Sequence, residues 1–149
     1  MAKPEKVIAT NRKARHEYEL LEQIEAGLSL LGSEVKSLRQ GQATIKEAWI
    51  SVEKGEAFLM GAHFPPYSHA THENHEPDRK RKLLMNRREI TRLRRATKEK
   101  GLTIVPLRLF FKGPWVKLDI ALARGKKLHD KRESLKKKDD RRTMRDRGR

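Results

Sequence analysis

The chain has 149 residues, of which 38% are charged and 36% hydrophobic; one ordinary domain fits, with residues left over that a core does not cover. Lys and Arg number 36 against 20 Asp and Glu, a net charge of +16, which points to a polyanionic partner because each neutralised phosphate releases condensed counterions. The absence of cysteine excludes disulfide frameworks, thiolate metal sites and cysteine nucleophiles, and no apolar run approaches the roughly 20 residues of a helical membrane span.

Residues 1–16 read as a basic N-terminal segment without the apolar stretch of a secretory signal, so a cytoplasmic protein is expected. The segment ends in the cluster Asn11-Arg12-Lys13-Ala14-Arg15-His16. From Glu17 to Ala123 strand and helix patterns alternate. Tyr18–Ile24 is expected to be a strand that turns near Ala26-Gly27 and returns through Leu28–Leu31 as a hairpin. Ser33 can cap a short helix, Glu34–Gln40, which Gly41 ends. A second hairpin joins Trp49–Val52 to Glu56–Phe64 through Lys54-Gly55.

The segment from Phe64 to Pro77 carries His69, His72 and His75 at intervals of three, with Glu73 and Glu76 nearby. On a helix that spacing would gather imidazoles around zinc or nickel. The flanking Pro65-Pro66 and Pro77 argue instead for an exposed polar loop, and no metal or other cofactor is expected. The basic run Arg79-Lys80-Arg81-Lys82 then leads into Leu83-Leu84. Asn86 with Glu89 resembles a capping box, opening a helix whose Ile90, Leu93 and Ala96 share one face and which stops at Gly101. Arg87, Arg88, Arg92, Arg95 and Lys98 occupy its other faces, as on a solvated helix.

Leu102–Phe111 and the alternation of Val116, Leu118, Ile120 and Leu122 with Trp115, Lys117, Asp119 and Ala121 form the last hairpin, across Lys112-Gly113-Pro114. Six strands in three hairpins predict a mainly β protein, a small closed or nearly closed antiparallel barrel spanning 17–123 with short accessory helices. Residues 124–149 hold 13 Lys or Arg against 5 Asp or Glu, a net of +8 and half the charge of the chain. With only Leu128, Leu135 and Met144 strongly apolar, this stretch is expected to be a disordered basic tail in the free protein.

No G-x-S-x-G, H-E-x-x-H or phosphate-loop pattern occurs, and the acidic residues stand beside cations as in surface ion pairs. An enzyme is not expected. Three basic constellations remain, at 11–16, 79–82 and 124–132. Arg suits phosphate because its planar fork donates two parallel hydrogen bonds. Aromatic residues are 5% of the chain, so recognition of a folded RNA by shape and backbone is expected over extensive base stacking. Composition leaves open a basic ribosomal or ribosome-assembly protein that holds ribosomal RNA, and a metal-dependent nuclease built on the His-rich loop.

The stretches NRKARHEY at 11–18, IEAG at 24–27, GSEVKSLRQGQA at 32–43, EPDRKRKLL at 76–84, GLTIVPLRLFFKG at 101–113 and ALARGKKLHDKR at 121–132 together resemble the SsrA-binding protein (SmpB) family, in order and over nearly the whole chain. The resemblance implies an OB-fold barrel. It also implies an adaptor without turnover, a monomer when free. The adaptor would bind the tRNA-like domain of transfer-messenger RNA and carry it to ribosomes stalled without a stop codon. Carried over residue by residue, the family's RNA contacts fall on Asn11, Glu25 and Leu84. Arg12, Lys13, Arg15, His16, Lys36, Arg39, Arg79, Arg81 and Lys82 around them would hold the RNA backbone. In the tail, Gly125, Lys126, Lys127, His129, Asp130, Lys131 and Arg132 match the stretch that reaches the decoding centre of the ribosome. Where the family often has Asp-Pro-Thr-Arg-Thr-Arg, this chain has Glu76-Pro77-Asp78-Arg79-Lys80-Arg81.

Overall fold

The structure, a computed structural model, describes residues 4–68 and 74–125. Ten elements follow in order: β1 (Glu5–Thr10), α1 (Arg12–Glu17), β2 (Tyr18–Leu28), α2 (Gly32–Arg39), β3 (Trp49–Glu53), β4 (Glu56–Met60), β5 (Arg81–Leu84), α3 (Arg87–Glu99), β6 (Thr103–Lys112) and β7 (Trp115–Gly125). The seven strands form one antiparallel sheet in the order β1-β6-β7-β2-β5-β4-β3. Strand β3 comes up against β6, so the sheet curls around its core, but no ladder among the described residues joins the edge strands β1 and β3.

The architecture is thus the expected mainly β one, with two corrections: seven strands replace six, and the sheet is open. The expected hairpin at Ala26-Gly27 does not form. β2 continues through both residues, pairing Ala26 with Leu118 and Gly27 with Lys117, because a central strand with β7 on one side and β5 on the other satisfies its backbone groups by running straight on. Two strands had no local signal of their own. β1 lies within the N-terminal segment and pairs with β6, and β5 begins in the second half of the basic run and pairs with both β2 and β4. β4 stops at Met60, short of Phe64, because Gly61 takes φ +72 with the Trp49 ring against it, where a Cβ would come within 2.7 Å of that ring.

The helix ends obey local chemistry. Asn86 Oδ1 accepts from the Glu89 N–H at 2.9 Å and Glu89 Oε1 accepts from the Asn86 N–H at 3.2 Å, the reciprocal capping box. α3 buries Ile90, Leu93 and Ala96 and gives way to Gly101 at φ +65. α2 starts two residues earlier than expected. Leu31, not Ser33, stands at its N-cap, and the Glu34 carboxylate accepts from the Leu31 N–H at 2.7 Å.

Apolar residues separate into two clusters on opposite faces of the sheet. The inner one gathers Ile24, Ala26 and Leu28 of β2, Leu118, Ile120 and Leu122 of β7, Leu38 of α2 and Leu93 of α3. The outer one is small: Ala14 of α1 over Val105, Leu107, Ala121 and Ala123, with Tyr18 and Leu20 against it. Period-two alternation in β7 sends even positions inward and odd positions outward, and α1 covers only the far end of the outer face.

Candidate nucleic-acid interface

The outer face is built by three devices. First, Asn11 fastens α1 to the sheet. Its Oδ1 accepts from the Ala14 N–H at 3.2 Å, its Nδ2 donates to the Pro106 carbonyl at 2.9 Å, and its own N–H donates to the Leu107 carbonyl at 2.7 Å. With its amide satisfied in this way the residue is only 4% exposed. Arg12, Arg15 and His16 of the same short helix are exposed, and Lys13 is half-buried. Lys13 Nζ meets Glu47 at 3.2 Å, and that hydrogen bond holds its pKa above the ordinary lysine value. Lys13, Lys46 and Trp49 line a cavity of about 220 Å³ beside the helix.

Second, Gly27 makes room for Leu84. The two are register partners across β2 and β5, and a Cβ on Gly27 would stand 3.3 Å from the Leu84 Cβ. Leu83 points into the core at 1% exposed while Leu84 is 55% exposed, as alternation in β5 requires. Third, Glu25 lies two residues before Gly27 on the same face, opposite Asp119. Lys112 Nζ reaches its carboxylate at 3.3 Å. The row Leu84–Gly27–Lys117 crosses three strands, so α1, Glu25 and Leu84, far apart in sequence, occupy one face.

Other expected contacts lie elsewhere. α2 packs Leu38 into the inner cluster, which takes Lys36 and Arg39 away from the outer face. Lys36 Nζ sits 5.7 Å from the Tyr67 ring centroid, and Arg39 is exposed. Lys82, by contrast, shares the outer side of β5 with Leu84, exposed and paired to Glu56 at 3.0 Å.

Arg81 requires correction. It is fully buried, donating from Nε to Glu34 Oε2 at 2.6 Å, from Nη1 to the Ala62 carbonyl at 3.1 Å, and from Nη2 to the Pro77 carbonyl at 3.0 Å. Its guanidinium lies 3.9 Å from the Phe64 ring centroid, so no face remains for a phosphate. Arg79, one-third exposed, donates to the other oxygen of the same carboxylate at 2.6 Å. Burial alone would raise the Glu34 pKa, but hydrogen bonds from Arg79, Leu31 and Arg81 outweigh it and hold the carboxyl below its ordinary 4.5. Burial also draws the Arg81 pKa down, against the pull of Glu34. Reading Arg79–Lys82 as a charge run hid the strand; alternation would have put Arg81 on the buried side with Leu83.

The His-rich segment also departs from expectation. His75 is 5% exposed, with Nε2 2.8 Å from the Phe64 carbonyl and Nδ1 3.0 Å from Ser33 Oγ. Because a carbonyl only accepts, Nε2 carries the proton, and both ring nitrogens are engaged. His69 and His72 lie outside the described residues, among which no cluster of three His, Cys, Asp or Glu forms a metal site. No helix among the described residues is long and apolar enough to cross a membrane. Residues 126–149, with Lys126, Lys127, His129, Asp130, Lys131 and Arg132, are likewise outside the description. Gly125 ends β7, opposite Tyr18, two residues beyond the boundary that composition placed at Ala123.

A curled, open antiparallel sheet with a cationic helix and a mixed polar and apolar outer face is the construction of a small β-sheet nucleic-acid-binding module. The comparisons make this specific. The SmpB protein family profile matches residues 8–149. An SsrA-binding protein of Syntrophobacter fumaroxidans is 52% identical over 143 residues, covering 96% of this chain and 89% of its own length. That of Microcystis aeruginosa is 52% identical over 140 residues, covering 93% and 91%. A solved chain from the structure reported as "tmRNA-SmpB: a journey to the center of the bacterial ribosome" superposes with a TM-score of 0.66 at 44% identity, covering 78% of this chain and 82% of that one. The chain belongs to the SmpB family of SsrA-binding proteins.

Proposed function

We propose that this protein binds the tRNA-like domain of transfer-messenger RNA through its outer sheet face and delivers it to stalled ribosomes for trans-translation in the bacterial cytoplasm. The observation that carries the reading is convergence. The cations of α1 and the pair Glu25 and Leu84 come from separate motifs, yet the fold sets them on one side of the sheet. The names of the relatives and of the matching solved structure support it.

Each part of the face has a role in the proposed complex. Arg12, Lys13 and Arg15 meet phosphates, Leu84 offers an apolar contact, and Glu25 accepts from base amino groups or a 2′-hydroxyl. Asn11 acts by positioning α1. No covalent chemistry is asked of the chain; peptide transfer stays with the ribosome. The tail from Lys126 onward is assigned to the mRNA channel and decoding centre, with Lys126, Lys127, Lys131 and Arg132 meeting ribosomal RNA phosphate and His129 stacking on a decoding base. About 20 residues wound into helix there would span roughly 30 Å.

The test uses two variants of the full chain. Truncation after Gly125, which preserves the whole of β7, is expected to leave affinity for transfer-messenger RNA near that of the parent and to abolish peptide tagging on stalled ribosomes. Near-normal tagging by that truncation would overturn the role of the tail. Changing Glu25 to Ala is expected to reduce preference for the tRNA-like domain over other RNAs. Stoichiometric ribosomal RNA retained by the parent through a salt wash, in place of one RNA with a tRNA-like domain, would overturn the adaptor function.

A further inference from the structure

The same face continues past Glu25 to a residue that no part of the foregoing uses. β6 and β7 join through Lys112-Gly113-Pro114, and Gly113 takes φ +59, so that Trp115 opens β7 directly opposite Lys112. Trp115 is 60% exposed, the most of any large apolar side chain in the described residues. Its indole N–H makes no hydrogen bond among them. Trp49 differs, because its ring lies against Gly61.

Alternation puts Trp115, Lys117 and Asp119 on the outer side of β7, while Val116 and Leu118 go to the inner cluster. Register places Lys117 beside Gly27, over which Leu84 lies, and Lys112 opposite Trp115, from where its Nζ reaches the Glu25 carboxylate. The ring therefore stands at the end of a continuous surface made of Leu84, Glu25, Lys112 and Lys117. Lys117 has no ion-pair partner among the described residues.

Deepening the proposed RNA interface and resting on it, we infer that Trp115 is a stacking platform for one unpaired nucleotide of the bound RNA, with Lys112 and Lys117 holding the phosphates on either side. An indole face accepts any base, is strengthened by desolvation on binding, and is the usual partner for bases splayed from a folded RNA. Cations beside the ring suit a nucleotide better than the apolar side chain of a protein partner or of a second copy, and the chain's charge of +16 favours the same occupant.

The experiment uses the full chain with Trp49→Phe, which leaves Trp115 as the single tryptophan. Titration with the isolated tRNA-like domain RNA is expected to quench Trp115 emission in step with binding measured independently by filter retention. Trp115→Ala in the otherwise natural chain is expected to weaken that RNA by roughly 5- to 150-fold, the ratio equivalent to about 1–3 kcal/mol of base stacking. Trp115→Phe should recover most of the loss, because a ring remains. Unchanged emission on binding, together with parental affinity in Trp115→Ala, overturns the stacking role and leaves the RNA interface standing. If instead Trp115→Ala removes concentration-dependent self-association without changing RNA affinity, the ring serves a second copy and the inference is overturned. Failure of the parent itself to bind the RNA overturns the interface and the platform together.

Discussion

Glu34 and Glu25 both meet basic side chains, and the two pairings do opposite things. Glu34 is fully buried between Arg79 and Arg81, each at 2.6 Å, while Glu25 is about one-third exposed beside Lys112 at 3.3 Å. Around Glu34 the remaining donors are also spoken for, Arg81 reaching three backbone carbonyls of the segment from Ala62 to Pro77. A charge taken out of water is tolerated only when partners and hydrogen bonds surround it, and removing one then strands the other. Around Glu25 solvent screens the pair, so the pair can exchange for an RNA contact at little cost. Burial turns one ion pair into a clamp between α2 and the segment leading to β5. Exposure leaves the other as a surface open to a partner.

The largest effect that would break this contrast is on stability. Arg81→Met, which leaves Glu34 short of one charge partner, is expected to lower the unfolding free energy by about 3–5 kcal/mol, read from the shift of the urea midpoint at unchanged m-value. Glu25→Gln should change it by less than about 1 kcal/mol. Equal losses in the two variants would refute the division into clamp and contact.

Acid sharpens the contrast next. The carboxyl of Glu34 titrates lower in the folded chain than its ordinary 4.5, so the unfolded chain takes up the proton first as pH falls. The stabilisation by Glu34 is complete above about pH 4.5 and drains away as pH drops through the lower folded value. Glu34→Gln should therefore be much less stable than the parent at pH 7, and the gap should narrow below pH 4.5. A gap of constant size across a urea series from pH 7 to pH 3 would show that the charge of Glu34 is not what holds the clamp.

The smallest effect belongs to the outer face. Lys13→Ala and Arg15→Ala should leave the fold intact, weaken RNA binding across sequences, and each reduce the slope of log affinity against log salt by about one unit. Arg81→Met, assayed where it remains folded, should leave that slope unchanged, since its guanidinium touches no solvent. A lowered slope in that variant would return Arg81 to the phosphate contacts from which its burial removes it.

Much of this was legible in the residues. The alternation of Val116, Leu118, Ile120 and Leu122 placed β7 correctly, and Asn86 with Glu89 placed the start of α3, because both signals are local: a period of two, and a side chain meeting a backbone three residues away. Leu84 was legible as a functional position only through its motif, and its sequence context was equally consistent with a core residue. The strands β1 and β5 were not legible, since their pairing partners lie more than 20 residues away in sequence; β1, only six residues long, stands between charged clusters, and β5 is half Arg and Lys. Composition also made Arg81 look like a phosphate contact, although a strand reading of residues 81–84 would have paired it with Leu83.

By itself, the sequence determined the mainly β class, the positions of α2 and α3 to within a few residues, the polyanionic character of the partner, and the resemblance to SsrA-binding proteins. These follow from properties that each short segment carries alone or that the whole chain sums. Only tertiary structure decided that β2 runs straight through Gly27, because the neighbouring Leu84 that needs the missing side chain arrives from 57 positions further on. Only it decided which cations are buried and which are free to meet RNA. Burial is a property of what packs over a residue, and for Arg79 and Arg81, two positions apart, the difference is set by Glu34, Phe64 and the carbonyls of a distant segment.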